Sequence, residues 1–360
     1  MAISIAYFVT HHGFGHAARA CAVMEALHKR NPEICFEIFS LIPEWFFEDS
    51  IADRYNYHAI RTDIGLVQDS PMVEDLEGTL AALGEFLPLQ KGAWNEYIEL
   101  LEKSDCDMVL ADISPLGIII GNQLGIPTVL IGNFTWDWIY EYYLQQFPGF
   151  EPYIDMLSEI YSSASHYIQT IPICAPTKES QLQVNPVSRS PRNTREITRI
   201  DLGIEQLEKV ILITMGGIQD RFAFFEKLKD AHNYRFIVPC ALENPEIDNN
   251  LILLPHHSDY FHPDLIQASD MVIGKTGYST ISEVFHAGIP FGYINRPNFR
   301  ESGILSEFIK KEICGFEIDG PDFYQGNWTS KLDYFMKKHK LQRKVTNGAD
   351  EIAEYVLKLF

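Results

Sequence analysis

Short apolar runs alternate along the chain with stretches whose apolar residues recur every three or four positions. In the first half the runs Ile3–Val9, Cys35–Ser40, Met108–Ala111 and Pro127–Gly132 read as strands. Helical spacing covers Ala17–Arg30, Asp75–Lys103 with a break expected at Pro88, and Pro115–Leu124. In the second half Val210–Thr214, Tyr234–Val238, Leu251–Leu254, Met271–Ile273 and Pro290–Ile294 read as strands. Phe222–Ala231, Thr280–Ala287 and Ile304–Lys311 fall between them as helices, and Asn347 is placed to cap a last helix over Ala349–Leu359. Strands this continuously apolar, separated by helices, predict parallel α/β sheets covered on both faces.

The rhythm fails once. Residues 176–200 follow no period and are rich in Pro, Ser and Arg, the composition of an interdomain linker. Two doubly wound domains are expected, 1–180 and 181–360, with the final helix packing back on the first. In such sheets ligands bind beyond the carboxyl ends of the strands.

Composition narrows the function. The 360 residues are 46% hydrophobic and 22% charged, which excludes wholesale disorder. The net charge of −20 argues against nucleic acid or an anionic membrane surface as partner. The charge is uneven: residues 1–180 hold 8 Lys and Arg against 25 Asp and Glu, residues 181–360 hold 21 against 24. The acidic half predicts a neutral or cationic substrate there. Six scattered cysteines without a CxxC pair read as reduced thiols, and the first residues read as a strand without a basic leader, so a cytoplasmic location is expected. No apolar run is long enough to span a membrane.

Three motifs follow strands. Thr10-His11-His12-Gly13-Phe14-Gly15-His16 leads from the first strand into a helix. Gly13 and Gly15 permit a tight turn and close ligand approach, and His16 is a candidate general base towards a substrate hydroxyl. The third glycine of a dinucleotide fingerprint is missing. The competing reading is a turn with a structural histidine. Met215-Gly216-Gly217 ends a strand in the second half, where backbone N–H groups can approach phosphate. Lys275-Thr276-Gly277-Tyr278-Ser279-Thr280 opens a helix, so hydroxyls, amides and a lysine converge on an anion, with Glu283 one turn beyond.

Together these motifs resemble the GT-B glycosyltransferase superfamily over nearly the whole chain. One thread is the peptidoglycan N-acetylglucosaminyl transferase group, similar at Gly277 to Glu283 and at Gly288-Ile289-Pro290. A nearer one is the glycosyltransferase-like N-terminal region of plant L-arabinokinases, similar at His12 to Ala17, Asn133 to Asp137 and Gly274 to Tyr278. The separate kinase region of those proteins carries a Gly-Leu-Ser-Ser-Ser phosphate loop with no counterpart here, so a sugar kinase is not expected.

The resemblance implies two facing Rossmann-like doubly wound domains. The second would bind a nucleoside-diphosphate sugar, a uridine diphosphate sugar favoured, with no cofactor or metal required. The donor set is then Gly13 and Gly15, with Gly216 and Gly217 at the diphosphate and Lys275, Thr276, Gly277, Tyr278, Ser279 and Thr280 at the helix end. Glu283 would hold the ribose, His256 and His257 lie in the base-contacting segment, and Arg300 and Glu301 replace the usual Asp-Gln of the donor-sugar loop. His16 would be the base of an inverting displacement. Asp112, Asn133, Trp136 and Asp137 are acceptor-side candidates beyond two strand ends, where aromatic and polar groups suit a sugar.

Two features are discounted. Asp105-Cys106-Asp107 has D-x-D spacing but precedes its strand, so it reads as a turn. His256, His257 and His262 lack a carboxylate constellation for a metal. A non-catalytic sugar-nucleotide sensor, and an epimerase or hydrolase of the same fold, remain alternatives to a transferase. Oligomeric state is left open.

Overall fold

A computed structural model describes residues 3–51, 54–70, 73–87, 94–216, 224–338, 340–341 and 344–360. The chain forms two compact units. The first comprises Met1–Val187, Asn298–Glu301 and Thr346–Phe360; the second comprises Ser188–Pro297 and Ser302–Val345.

The first unit is built on β1 (Ser4–Val9), β2 (Cys35–Ser40), β3 (Tyr55–Ala59), β4 (Val67–Ser70), β5 (Val73–Asp75), β6 (Met108–Asp112), β7 (Thr128–Gly132), β8 (His166–Thr170) and β9 (Leu182–Val184). Seven of them form one sheet in the order β3-β2-β1-β6-β7-β8-β9, and its pairings are parallel. β4 and β5 pair apart as an antiparallel ribbon. Ile5 to Val9 are all fully buried, which is why β1 carries no polar alternation. The helix Pro115–Leu124 shows its ends in sequence: Ser114 caps it, Pro115 opens it, and Gly125 ends it at φ 70°. Gly117 lets it close on the sheet, since a Cβ there would meet Phe8 at 2.8 Å. The final helix, Gly348–Leu357, is capped by the Asn347 side chain and packs on the helix Phe14–Arg30, with Arg30 2.7 Å from Asp350.

The second unit holds β10 (Lys209–Thr214), β11 (Tyr234–Leu242), β12 (Glu246–Asp248), β13 (Leu251–Pro255), β14 (Met271–Lys275), β15 (Phe291–Ile294) and β16 (Gly315–Glu317). Their order is β12-β13-β11-β10-β14-β15-β16, parallel except for edge strand β12. The helix Tyr278–Ala287 leaves directly from β14. Its C-terminus turns on Gly288 at φ 67°, where a Cβ would meet the Leu341 carbonyl oxygen at 1.9 Å. The interior is the aliphatic layer of Val210, Leu212, Val272, Ile281, Val284 and Leu305.

The α/β architecture and its parallel sheets are those the hydrophobic pattern predicts. Three local readings gain detail. The helical stretch expected over Asp75–Lys103 with a break at Pro88 is two helices, Leu76–Phe86 and Asn95–Lys103, and Pro88 itself lies outside the described residues. The helix expected over Phe222–Ala231 is described as Phe225–Lys229, its first expected residues being outside the description. The aperiodic stretch 176–200, in which the chain passes from the first unit to the second at Val187 and Ser188, also supplies edge strand β9 and begins the helix Arg195–Asp201, which Thr194 caps. Asp105-Cys106-Asp107 is a turn, with Asp105 at φ 46° and Asp107 accepting the Ser4 N–H at 2.9 Å. It lies at the amino ends of β1 and β6. None of the six cysteines is in a disulfide. Among the described residues no helix is long and apolar enough to cross a membrane.

Candidate functional site

In the first unit the polar residues beyond β1, β6 and β7 form one buried network. Gly13 turns the chain at φ 81°, and the helix beginning at Phe14 brings His16 and Arg19 onto one face, three residues apart. His16 Nδ1 lies 2.7 Å from Asp112 Oδ1. Arg19 grips the same carboxylate, Nε to Oδ2 at 2.7 Å and Nη2 to Oδ1 at 2.8 Å. Its third nitrogen, Nη1, donates to Asn133 Oδ1 at 2.9 Å, and Asn133 Nδ2 donates to Glu301 Oε1 at 2.6 Å. Asp112 and Asn133 are fully buried, Arg19 is 1% exposed and His16 9%.

Burial alone would raise the Asp112 carboxyl. The charge and hydrogen bonds of Arg19, then those of His16, outweigh it and hold the carboxyl below its ordinary value. A carboxylate can only accept, so the hydrogen between His16 and Asp112 belongs to Nδ1 and the lone pair to Nε2, a tautomer assigned from the network. Ile113, immediately after Asp112, sits at φ 45°, a strained conformation for a β-branched residue.

Aromatic rings pack around the imidazole. Phe134 stands edge-on to His16 with ring centres 6.0 Å apart, and Trp136 lies at 6.3 Å. Trp136 is 1% exposed, and its indole N–H donates to Asp63 Oδ2 at 2.9 Å. It is part of the floor, with no open face for stacking. Asp137 opens the short helix Trp136–Glu141, and burial pushes its carboxyl above the ordinary value. Arg300 and Glu301 belong to the first unit. The Arg300 guanidinium lies 4.1 Å from the Trp138 ring centre and 2.9 Å from Glu141 Oε2, and donates to the Trp138 carbonyl.

In the second unit a second network centres on Glu283. Its Oε1 takes Arg189 Nε at 3.2 Å and Nη2 at 3.1 Å, and its Oε2 takes His262 Nδ1 at 2.8 Å. His262 Nε2 reaches Thr214 Oγ1, at the end of β10, at 3.2 Å. Burial would raise the Glu283 carboxyl, but Arg189 and His262 reverse the sign and lower it. A carboxylate has about four lone-pair sites, so three partners leave capacity for another donor. Glu283 also lines a cavity of ≈ 250 Å³ with Arg189, Gln267 and His286.

Gly216, at φ 71°, follows β10, and a Cβ there would meet Lys275 Cε at 2.9 Å. Gly217 lies outside the described residues. Gly277 caps the Tyr278 helix without a side-chain bond, so the first-turn N–H groups of Tyr278, Ser279 and Thr280 are not taken by the cap. Thr276 is 1% exposed and hydrogen-bonds Ser302 Oγ at 3.3 Å. His256 and His257 are exposed after β13; partial burial, then its neighbour His257, lowers His256.

The structure brings the candidates His16, Asp112, Asn133 and Glu301 into one network and Lys275 next to Gly216, whereas sequence reading had related only Asp112 to His16. That reading missed Arg19, whose signal was its spacing three residues from His16. It missed Arg189 in the aperiodic stretch, which carried no signal. It weighed His262 only as a metal ligand, whereas the residue pairs with Glu283.

No protein-family model matches the chain. An L-arabinokinase of Arabidopsis thaliana is 28% identical over 356 residues, covering 98% of this chain and 34% of that protein. The chain therefore spans about a third of the length of that relative. Among solved structures, a UDP-glucosyltransferase from Polygonum tinctorium capable of glucosylating indoxyl superposes with a TM-score of 0.63 at 13% identity, over 100% of this chain and 98% of that one. The calicheamicin glycosyltransferase CalG4 gives 0.64 at 12% identity, over 99% and 98%. MurG of Acinetobacter baumannii gives 0.56 at 13%, over 99% of both chains. These likenesses show the fold, two Rossmann-like units of the GT-B kind.

Proposed function

We propose that this GT-B chain is a glycosyltransferase moving a sugar from a nucleoside-diphosphate sugar, with uridine diphosphate favoured, to a small soluble acceptor that is neutral or cationic. The observation that carries the proposal is the His16–Asp112 pair at 2.7 Å, locked by Arg19 beyond the carboxyl ends of β1 and β6. That placement is where α/β sheets bind ligands. GT-B neighbours that are glycosyltransferases support sugar transfer in general.

In the proposed reaction His16 Nε2 accepts the proton of the acceptor hydroxyl. The oxygen attacks the anomeric carbon from the face opposite the diphosphate, the bond to the leaving phosphate oxygen breaks with its electron pair, and the configuration inverts. Asp112 stabilises the imidazolium that forms and keeps the ring oriented. The donor belongs to the second unit. There the backbone of Gly216, the first-turn amides of the Tyr278–Ala287 helix and Lys275 offer positive partners to the diphosphate, and this preorganised field suits a reaction needing no metal. Glu283 has lone-pair capacity for a ribose hydroxyl, while His256 and His257 supply the base-contacting segment. Glu301, joined to Asn133, and Arg300 are the residues proposed to shape the donor-sugar end. A cytoplasmic enzyme fits this choice of substrates.

The test is a panel of nucleoside-diphosphate sugars with sugar, amino-sugar and amine acceptors, in EDTA, with product configuration read by NMR. Transfer with inversion is expected. Donor binding without turnover of any acceptor would favour a sensing module instead, and donor conversion without an acceptor an epimerase or hydrolase.

A further inference from the structure

The loop that leads into the His16 helix carries a second imidazole set against a second buried acid. Asp63, beyond β3, is 1% exposed. Its Oδ2 accepts the Trp136 indole N–H at 2.9 Å. Its Oδ1 is buried with no hydrogen-bond partner among the described residues. Facing it at 3.5 Å is His11 Nδ1, which is also buried and without a hydrogen bond. The His11 side chain is 26% exposed, so the ring is buried at the Asp63 edge and open elsewhere. Buried polar atoms are rarely left unpaired in folded proteins, so these two atoms, facing each other at 3.5 Å, are a pair that a small movement closes, with the rest of the imidazole open to solvent.

The arrangement is similar to the one at His16, with a 3.5 Å separation in place of a 2.7 Å hydrogen bond. A carboxylate only accepts, so closing that separation turns the Nδ1–H of His11 to Asp63 and leaves the lone pair on Nε2. Trp136 touches both pairs, its ring centre 6.3 Å from that of His16 and its N–H on Asp63. Two imidazole–carboxylate pairs that share Trp136 as a neighbour offer two proton acceptors near one another.

We propose that His11, oriented by Asp63, binds a second proton-donating group of the acceptor. The pair selects acceptors bearing several hydroxyls, or a hydroxyl and an amine, over those with one hydroxyl. A single-hydroxyl acceptor leaves the His11 lone pair unmatched, and sites built for a hydrogen bond discriminate strongly against ligands that lack it. The proposal rests on the sugar-transfer reading, with His11 a specificity residue and Asp63 a positioning residue.

Two measurements test it. In the first, the His11 Cε1–H resonance, assigned by its loss in His11→Phe, is followed while xylitol, glucosamine or phenol is added to UDP-loaded protein. It is expected to move with xylitol and glucosamine and not with phenol, with the midpoint about tenfold higher in Asp63→Asn. In the second, both variants are expected to raise the KM for a polyol or amino-sugar acceptor about tenfold, with kcat and donor hydrolysis by water within about twofold. A His11 resonance unmoved by xylitol and glucosamine overturns the proposal, as does an equal effect of the variants on phenol and glucosamine. Wild-type protein that turns over no donor defeats the sugar-transfer reading, and the resonance titration still decides whether His11 binds polyols and amines.

Discussion

His16 and Asp112 meet at 2.7 Å in a site where Asp112 has no exposure, although 96 residues separate them in sequence. The contact fixes which imidazole nitrogen is left to act. Asp112→Asn replaces an acceptor-only group by one that can donate to Nδ1, which favours the wrong tautomer. The expected loss in kcat is about 10²–10⁴-fold with donor affinity unchanged. Steady-state kinetics beside a UDP titration separate the two effects.

Arg19 is the buried cation that makes the Asp112 charge tolerable. Arg19→Met leaves that carboxylate without its main partner, which costs about 3–5 kcal/mol in a buried pair. Urea denaturation of the variant is expected to show the loss at unchanged m.

Acid stability follows from two carboxylates. Asp112 and Glu283 both titrate below their ordinary values in the folded chain. A depressed folded value means the unfolded chain binds protons first as pH falls. The stabilisation is therefore fully present above the unfolded values, 3.8 and 4.5, and is lost as pH drops below them towards the folded ones. Thermal melts from pH 7 to pH 3 should show this decline. In Arg19→Met burial becomes the dominant influence on Asp112, so its contribution changes sign and protonating it on acidification adds stability instead of removing it.

Much of this was legible in sequence, and the illegible parts share a physical reason. The buried parallel strands are nearly all apolar, so β1, β2, β6 and β7 announce themselves. β8, His166–Thr170, was not anticipated: it mixes His, Gln and Thr with its apolar residues, and Gln169 is fully buried through a bond to the Ala175 carbonyl at 2.7 Å. Glycine turns mark where a site opens, which is how His16 and Lys275 were found. Partners of buried charges come from distant segments and have no local period. Arg189 reaches Glu283 across 94 positions and Trp136 reaches Asp63 across 73, and no spacing rule joins such pairs.

Lys275 tests the diphosphate contact. Lys275→Met removes a charge-assisted partner worth about 1.5–3 kcal/mol. UDP affinity is expected to fall roughly ten- to a hundredfold, with uridine affinity little changed. Paired calorimetric titrations read the difference, and an equal loss for both ligands would place the lysine elsewhere.

Gly288 tests the fold at the end of the helix Tyr278–Ala287. Its φ of 67° and the 1.9 Å approach of a Cβ to the Leu341 carbonyl both oppose a side chain. Gly288→Ala is expected to cost at least about 1–3 kcal/mol from backbone strain, with the displaced Leu341 segment adding to it. Calorimetry should show a lowered Tm.

The central claim is that His16 takes the acceptor's proton. The most direct measurement is the rate of nucleoside-diphosphate release by wild type and His16→Ala, with the preferred donor and acceptor saturating. A fall of about 10²-fold or more in kcat is expected, with UDP affinity intact. Turnover by His16→Ala at the wild-type rate would contradict it.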